Sequence, residues 1–143
     1  MRAILILLVL GSSTIVHAQD NDQKMGHGKG IFMSVVYNNL KFSYEIQDSD
    51  YENTPSWNPA KQESPLSIAK AVEIAKINLK RFATDADKFE IESILMEKFG
   101  NRAWIFVISF HCWYLKCSDT AVDFPILVKL DGSIIEPKIT SEK

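Results

Sequence analysis

Five apolar residues between Leu66 and Phe82 constrain this chain most. Ile68, Val72, Ala75, Leu79 and Phe82 recur at spacings of four, three, four and three. That repeat puts all five on one stripe of an α-helix. Lys70, Glu73, Lys76 and Lys80 fall mainly off the stripe. Such a helix must bury its stripe against another element, and Ala69, Ala71 and Ala75 are small enough to let it lie close to a sheet. Ser67 is the expected N-cap, with Leu66 ahead of it to pack on the first turn. Lys70 stands where a capping box would place Glu or Gln. Glu73 has a lysine three residues away on either side, a weak exposed pairing.

The rest of the chain reads as strands. Ile31 to Tyr37 is β-branched and aromatic. Leu40 to Ile46 alternates, with Leu40, Phe42, Tyr44 and Ile46 on one face. Asn38-Asn39 between them tolerates the positive φ of a two-residue hairpin turn, and one long bent strand is the competing reading. Phe89 to Phe99 opens with alternation, and Gly100-Asn101 is a turn signal. In Arg102 to Leu115, Trp104, Phe106, Ile108, Phe110 and Cys112 share one face, and Ala103, Ile105, Val107, Ser109 and His111 the other. Both faces are largely apolar, which predicts a central strand covered on one side by the helix. Val122 to Leu130 contains Pro125, which marks an edge or a bulge. Asp131-Gly132 predicts a two-residue hairpin between Leu130 and Ser133. Ile134 and Ile135 then start a last short strand that Pro137 ends. The expected fold is α+β, with one amphipathic helix packed on an antiparallel sheet of about five or six strands, in a single domain over 31–143.

The N-terminus has a different character. Arg2 precedes the unbroken apolar run from Ala3 to Leu10, and Val16-His17-Ala18 ends in small residues at the first and third positions. This is the layout of a secretory signal over 1–18, cleaved between Ala18 and Gln19. A spanning helix needs about 20 apolar residues, more than twice this run, although an uncleaved anchor is the alternative. Residues 19–30 are polar and Gly-rich and read as a flexible leader. The expectation is an exported protein, periplasmic or secreted, with no stable membrane span in its mature form. With 16 Lys+Arg against 18 Asp+Glu among 143 residues, the chain offers no basic surface for nucleic acid.

Candidate chemistry is sparse. In an exported protein Cys112 and Cys117 favour a disulfide. If the chain turns back within the four residues between them, the thiols meet. If it turns later, over 116–121, they stand too far apart to bond. His111 adjoins Cys112, but neighbours on a strand point to opposite faces, so the imidazole cannot activate that thiol. The remaining His and Cys make a poor zinc set. Glu90 and Glu92 share a strand face and read as solvated. Asp48, Asp50 and Glu52 alternate in the loop over 47–64 but lack the Gly and distal Glu of a calcium loop. Trp57, an aromatic in that polar loop, either caps the edge of the core or is an exposed anchor for a partner. No phosphate loop, nucleophile elbow or zinc-protease motif occurs. The reading is therefore of no enzyme, no metal and no cofactor.

Leu66-Ser67-Ile68-Ala69-Lys70-Ala71 leading into Ala75, the strand Trp104 to Phe110, and Leu130-Asp131-Gly132-Ser133-Ile134-Ile135 together resemble the PepSY-type module, a cystatin-like α+β unit, here in a small exported bacterial protein. The resemblance covers about half the chain. It implies a non-catalytic module, attached in some relatives to secreted peptidases as an inhibitory segment, and carries no inhibitory residue onto this chain. The expected function is a binding or inhibitory module for a peptide or protein partner, such as an envelope or secreted protein or a peptidase, that accepts extended peptide at a strand edge. The alternative is a small-ligand or enzymatic pocket on the concave side of the sheet. Trp104, Phe106, Phe110 and Tyr114 would line it if the helix covered the opposite face.

Overall fold

A computed structural model describes the chain at residues 31–50, 52–99, 103–113, 117 and 121–142. The signal over 1–18, its cleavage at Ala18 and Gln19, the leader over 19–30 and Tyr114 lie outside the described residues. The elements run β1 (Ile31–Tyr37), β2 (Leu40–Ile46), α1 (Ile68–Phe82), β3 (Glu90–Phe99), β4 (Ala103–Cys112), β5 (Val122–Lys129) and β6 (Lys138–Ser141). No helix among the described residues is long and apolar enough to cross a membrane.

The fold is α+β, but the expected single sheet is two. β3, β4 and β5 form an antiparallel meander under the helix, here the helix sheet. β1, β2 and β6 form a second antiparallel sheet, here the hairpin sheet. Pro125 gives a physical reason. It sits in β5 opposite Ser109, and its ring nitrogen has no proton to offer a further strand. Its carbonyl is taken by a side chain of the other sheet, since the Tyr44 hydroxyl donates to it at 2.6 Å. The meander therefore ends at β5, and the β1–β2 hairpin packs against it instead of extending it. Burial, reinforced by the Glu136 carboxylate, pushes the Tyr44 hydroxyl pKa far above its ordinary value.

β4 is buried on both faces, as its two apolar faces require. On one side Phe106, Ile108 and Phe110 pack with Ala71, Ala75 and Leu79 of the helix. On the other, Ile105 and Val107 pack with Tyr44 and Ile46 of the hairpin sheet. Tyr37 and Phe42 join the helix-side cluster, where the Phe42 ring lies 4.9 Å from Phe124 and 6.1 Å from Phe82. The helix thus covers the Trp104–Phe110 face, whereas the concave-pocket alternative needed it on the opposite face. Phe106 and Phe110 are buried beneath α1.

Local chemistry explains the remaining junctions. Asn38 and Asn39 both take positive φ, 51° and 59°, and close the predicted two-residue turn. Ser67 caps α1 by accepting the Lys70 N–H at 3.2 Å. The helix stripe is centred on Ala71, Ala75 and Leu79, with Val72 and Phe82 at its borders. Ile68, expected at the core, is 57% exposed. It occupies the first helical position, ahead of the turn where the buried stripe begins.

The second hairpin is one residue longer than predicted. Lys129 N–H bonds to the Ser133 carbonyl at 2.8 Å, and Gly132 N–H to the Lys129 carbonyl at 3.0 Å. Leu130 therefore belongs to the loop, and Gly132 takes φ 85° at its end. Burial alone would raise the Asp131 pKa. The Ser133 hydroxyl and N–H, donating at 2.6 and 2.8 Å, and the Lys129 ammonium outweigh it and hold that carboxyl below its ordinary value. Ile134 makes only a single bridge to Val128. The strand expected from Ile134 to Pro137 is thus absent among the described residues, and beyond Pro137 the chain forms β6 against β2, a strand the sequence reading does not place.

Candidate functional site

β3 is the outer strand of the helix sheet. It is ten residues long, and one of its edges faces no other strand among the described residues. Its register with β4 pairs Ile91 with Phe110, Ile94 with Ile108, Met96 with Phe106 and Lys98 with Trp104. Cross-strand partners share a face, so these four β3 residues all lie on the helix side. Leu95, opposite Val107, lies on the other. Ile91, Ile94 and Leu95 are 37%, 38% and 50% exposed. An edge strand with exposed apolar side chains and unpaired backbone groups is a template for another strand. The register shifts between Ile91 and Ser93, leaving Glu92 as the extra residue of a bulge. A charged bulge of this kind guards an edge against indiscriminate pairing.

Two clefts open on the helix side of this strand. Near its start, about 510 Å³ lies between α1 and β3, floored by Leu79, Phe89, Ile91 and Phe110. Lys76, Lys80, Asp87 and Glu90 ring it, two charges of each sign. Near its end, about 630 Å³ is bounded by Trp57, Pro59, Lys61, Lys98 and Trp104. The indoles of Trp57 and Trp104 meet edge to face at 5.3 Å. Trp57 Nε1 donates to the Gln62 carbonyl at 3.1 Å, and Asn58 accepts from Ala60, Lys61 and Gln62 N–H groups, which folds the loop around the ring. Trp57 is therefore both cap and wall. It packs on Trp104 at the border of the core and lines a cleft. Among the described residues Lys61 and Lys98 make no ion pair, and no acid lines this cleft.

Cys112 and Cys117 are joined by a disulfide with Cα atoms 6.0 Å apart. Cys112 faces the helix-side core, and His111 faces away from it, as adjacent strand residues must. His111 instead meets Asp123, its cross-strand neighbour on β5, with Nδ1 and Oδ1 2.5 Å apart. The Glu92 bulge adds a second carboxylate, and donor atoms of Glu92, His111 and Asp123 all lie within 4.8 Å of one another. Donors sharing a tetrahedral metal at about 2.1 Å stand about 3.4 Å apart. The closer His111–Asp123 contact is the geometry of a hydrogen-bonded pair. Trp113, 57% exposed, sets its ring against His111 at 4.4 Å. Sequence reasoning missed this group because its members come from three strands, and only the bulge puts Glu92 among them.

Comparison of the chain with protein-family models, with curated proteins and with solved structures finds no match.

Proposed function

We propose that this is an exported, non-enzymatic binding module that accepts an extended peptide segment of a partner protein along β3. The observation that carries the reading is the edge itself: a ten-residue outer strand with Ile91, Ile94 and Leu95 exposed beside an open backbone ladder. Strand addition supplies affinity through main-chain hydrogen bonds and specificity through pockets for alternate side chains. The two clefts flanking the helix side of β3 are suited to that second role. The PepSY resemblance of the sequence supports a non-catalytic module, and an inhibitory segment acting on a peptidase is one form such a module takes.

The test is amide hydrogen exchange on the purified chain, mixed with an array of β-prone heptapeptides. The expected result is that some peptides bind, slow exchange within 90–99, and lose binding to Ile94→Lys, a change at an exposed position that leaves the core intact. Peptides that bind without protecting β3, or an array with no binder, would overturn the proposal.

A further inference from the structure

The two clefts are not independent. Ile91 lines the first and Lys98 the second, and both side chains lie on the helix side of β3. They are seven positions apart in sequence, an odd number that would put them on opposite faces of a regular strand. The Glu92 bulge absorbs one residue and restores the phase. β4, paired to β3 along this stretch, shows the true spacing: the residues opposite Ile91 and Lys98 are Phe110 and Trp104, six apart. A second regular strand laid on the free edge of β3 has to keep that same count, about 20 Å at 3.3 Å per residue.

The clefts also differ in charge. The one at Ile91 has an apolar floor and a balanced rim of Lys76, Lys80, Asp87 and Glu90. The one at Lys98 has two indoles and two lysines, with no acid. Resting on the strand-addition reading above, we infer that β3 selects an extended peptide carrying an acidic side chain and a large apolar side chain six residues apart. The acidic group enters the Trp57–Trp104 cleft between Lys61 and Lys98. The apolar group enters the cleft over Leu79, Phe89 and Phe110. The residues between them contribute backbone pairing and lie across exposed Ile94. The bulge thus acts as a spacer that brings the two clefts into phase for a regular strand.

Fluorescence anisotropy with labelled threonine-rich peptides tests this. One set carries glutamate and leucine six apart, a second five apart, a third lysine and leucine six apart. Each is made in both chain directions, and the tighter binder of each pair is compared. Five-residue spacing turns the leucine to the wrong face and forfeits its burial, so the six-spaced peptide should bind about tenfold tighter or more. Replacing glutamate by lysine should weaken binding severalfold at low salt. The double variant Lys61→Glu/Lys98→Glu, at two surface positions, should reverse that preference. Peptides that protect β3 amides with equal affinity at five and six, or with no preference for glutamate, would overturn the inference while leaving strand addition standing. Failure of every peptide to protect β3 would overturn both.

Discussion

Tyr44 shows how one side chain joins the two sheets. Its ring is fully buried among Ile105, Val107 and Leu127, and its hydroxyl finds the Pro125 carbonyl that the β4–β5 ladder leaves unused. Removing the hydroxyl strands that carbonyl beneath the hairpin sheet. Tyr44→Phe should cost about 1–2 kcal/mol at neutral pH, read as a lowered denaturant midpoint with an unchanged slope. The same residue sets an alkaline limit. Its pKa is raised in the folded chain, so above about pH 10 the unfolded state loses a proton that the native state keeps. Stability then falls as pH rises. The phenylalanine variant, weaker at pH 7, should lose stability less steeply above pH 10, and parallel pH profiles would contradict this account. The sequence alternation from Leu40 to Ile46 placed Tyr44 on an inward face. Nothing in it identified the distant carbonyl, because that bond spans 81 positions.

Elements were legible where their cause is local and obscure where it is not. The Asn38-Asn39 turn follows from side chains that tolerate positive φ, and α1 from a 3.6-residue period, so both were readable. The period fixed the direction of the stripe but not where the helix sheet ends beneath it, which is why Ile68 was misplaced. β3 was readable up to Ile91. Beyond it the bulge re-phases the strand, and a bulge leaves no signature in a run such as Glu92-Ser93-Ile94-Leu95. The β5 turn held the right residues in the wrong count. Its hydrogen bonds run between Lys129 and Ser133, making Gly132 the left-handed position. An added Cβ there would meet Ile74 Cδ1 at 3.6 Å, an ordinary contact, so the backbone alone sets the penalty. Gly132→Ala should therefore cost about 1 kcal/mol. Gly132→Asn should cost less, because asparagine tolerates this region. Equal midpoints for the two variants in thermal unfolding would show that crowding, not φ, governs the site.

At the scale of the whole molecule, β6 is the element that closes the fold. It pairs Lys138 to Ser141 with Ser43 to Leu40, so a segment near one end of the chain completes a sheet begun near the other. Its sequence carries no alternation, and its one large apolar residue, Ile139, is 47% exposed. The strand forms because β2 offers a ladder, not because its own side chains demand burial, and so Pro137 looked like an end. Without β6 the hairpin would be two-stranded, an arrangement marginal by itself and held by its packing on β4, β5 and α1. Deleting 138–143 should therefore lower stability by about 2–4 kcal/mol, a few net hydrogen bonds at about 1 kcal/mol each. The loss should be regional. Amides of β1 and β2 should exchange much faster, while β3, β4 and β5 keep their protection under α1. β6 pairs only with β2, and β3, the edge proposed to bind peptide, belongs to the other sheet. Affinity for a β3-directed peptide should then survive the deletion. If it falls in step with β2 protection, the two sheets form one cooperative unit, and the edge depends on the closure.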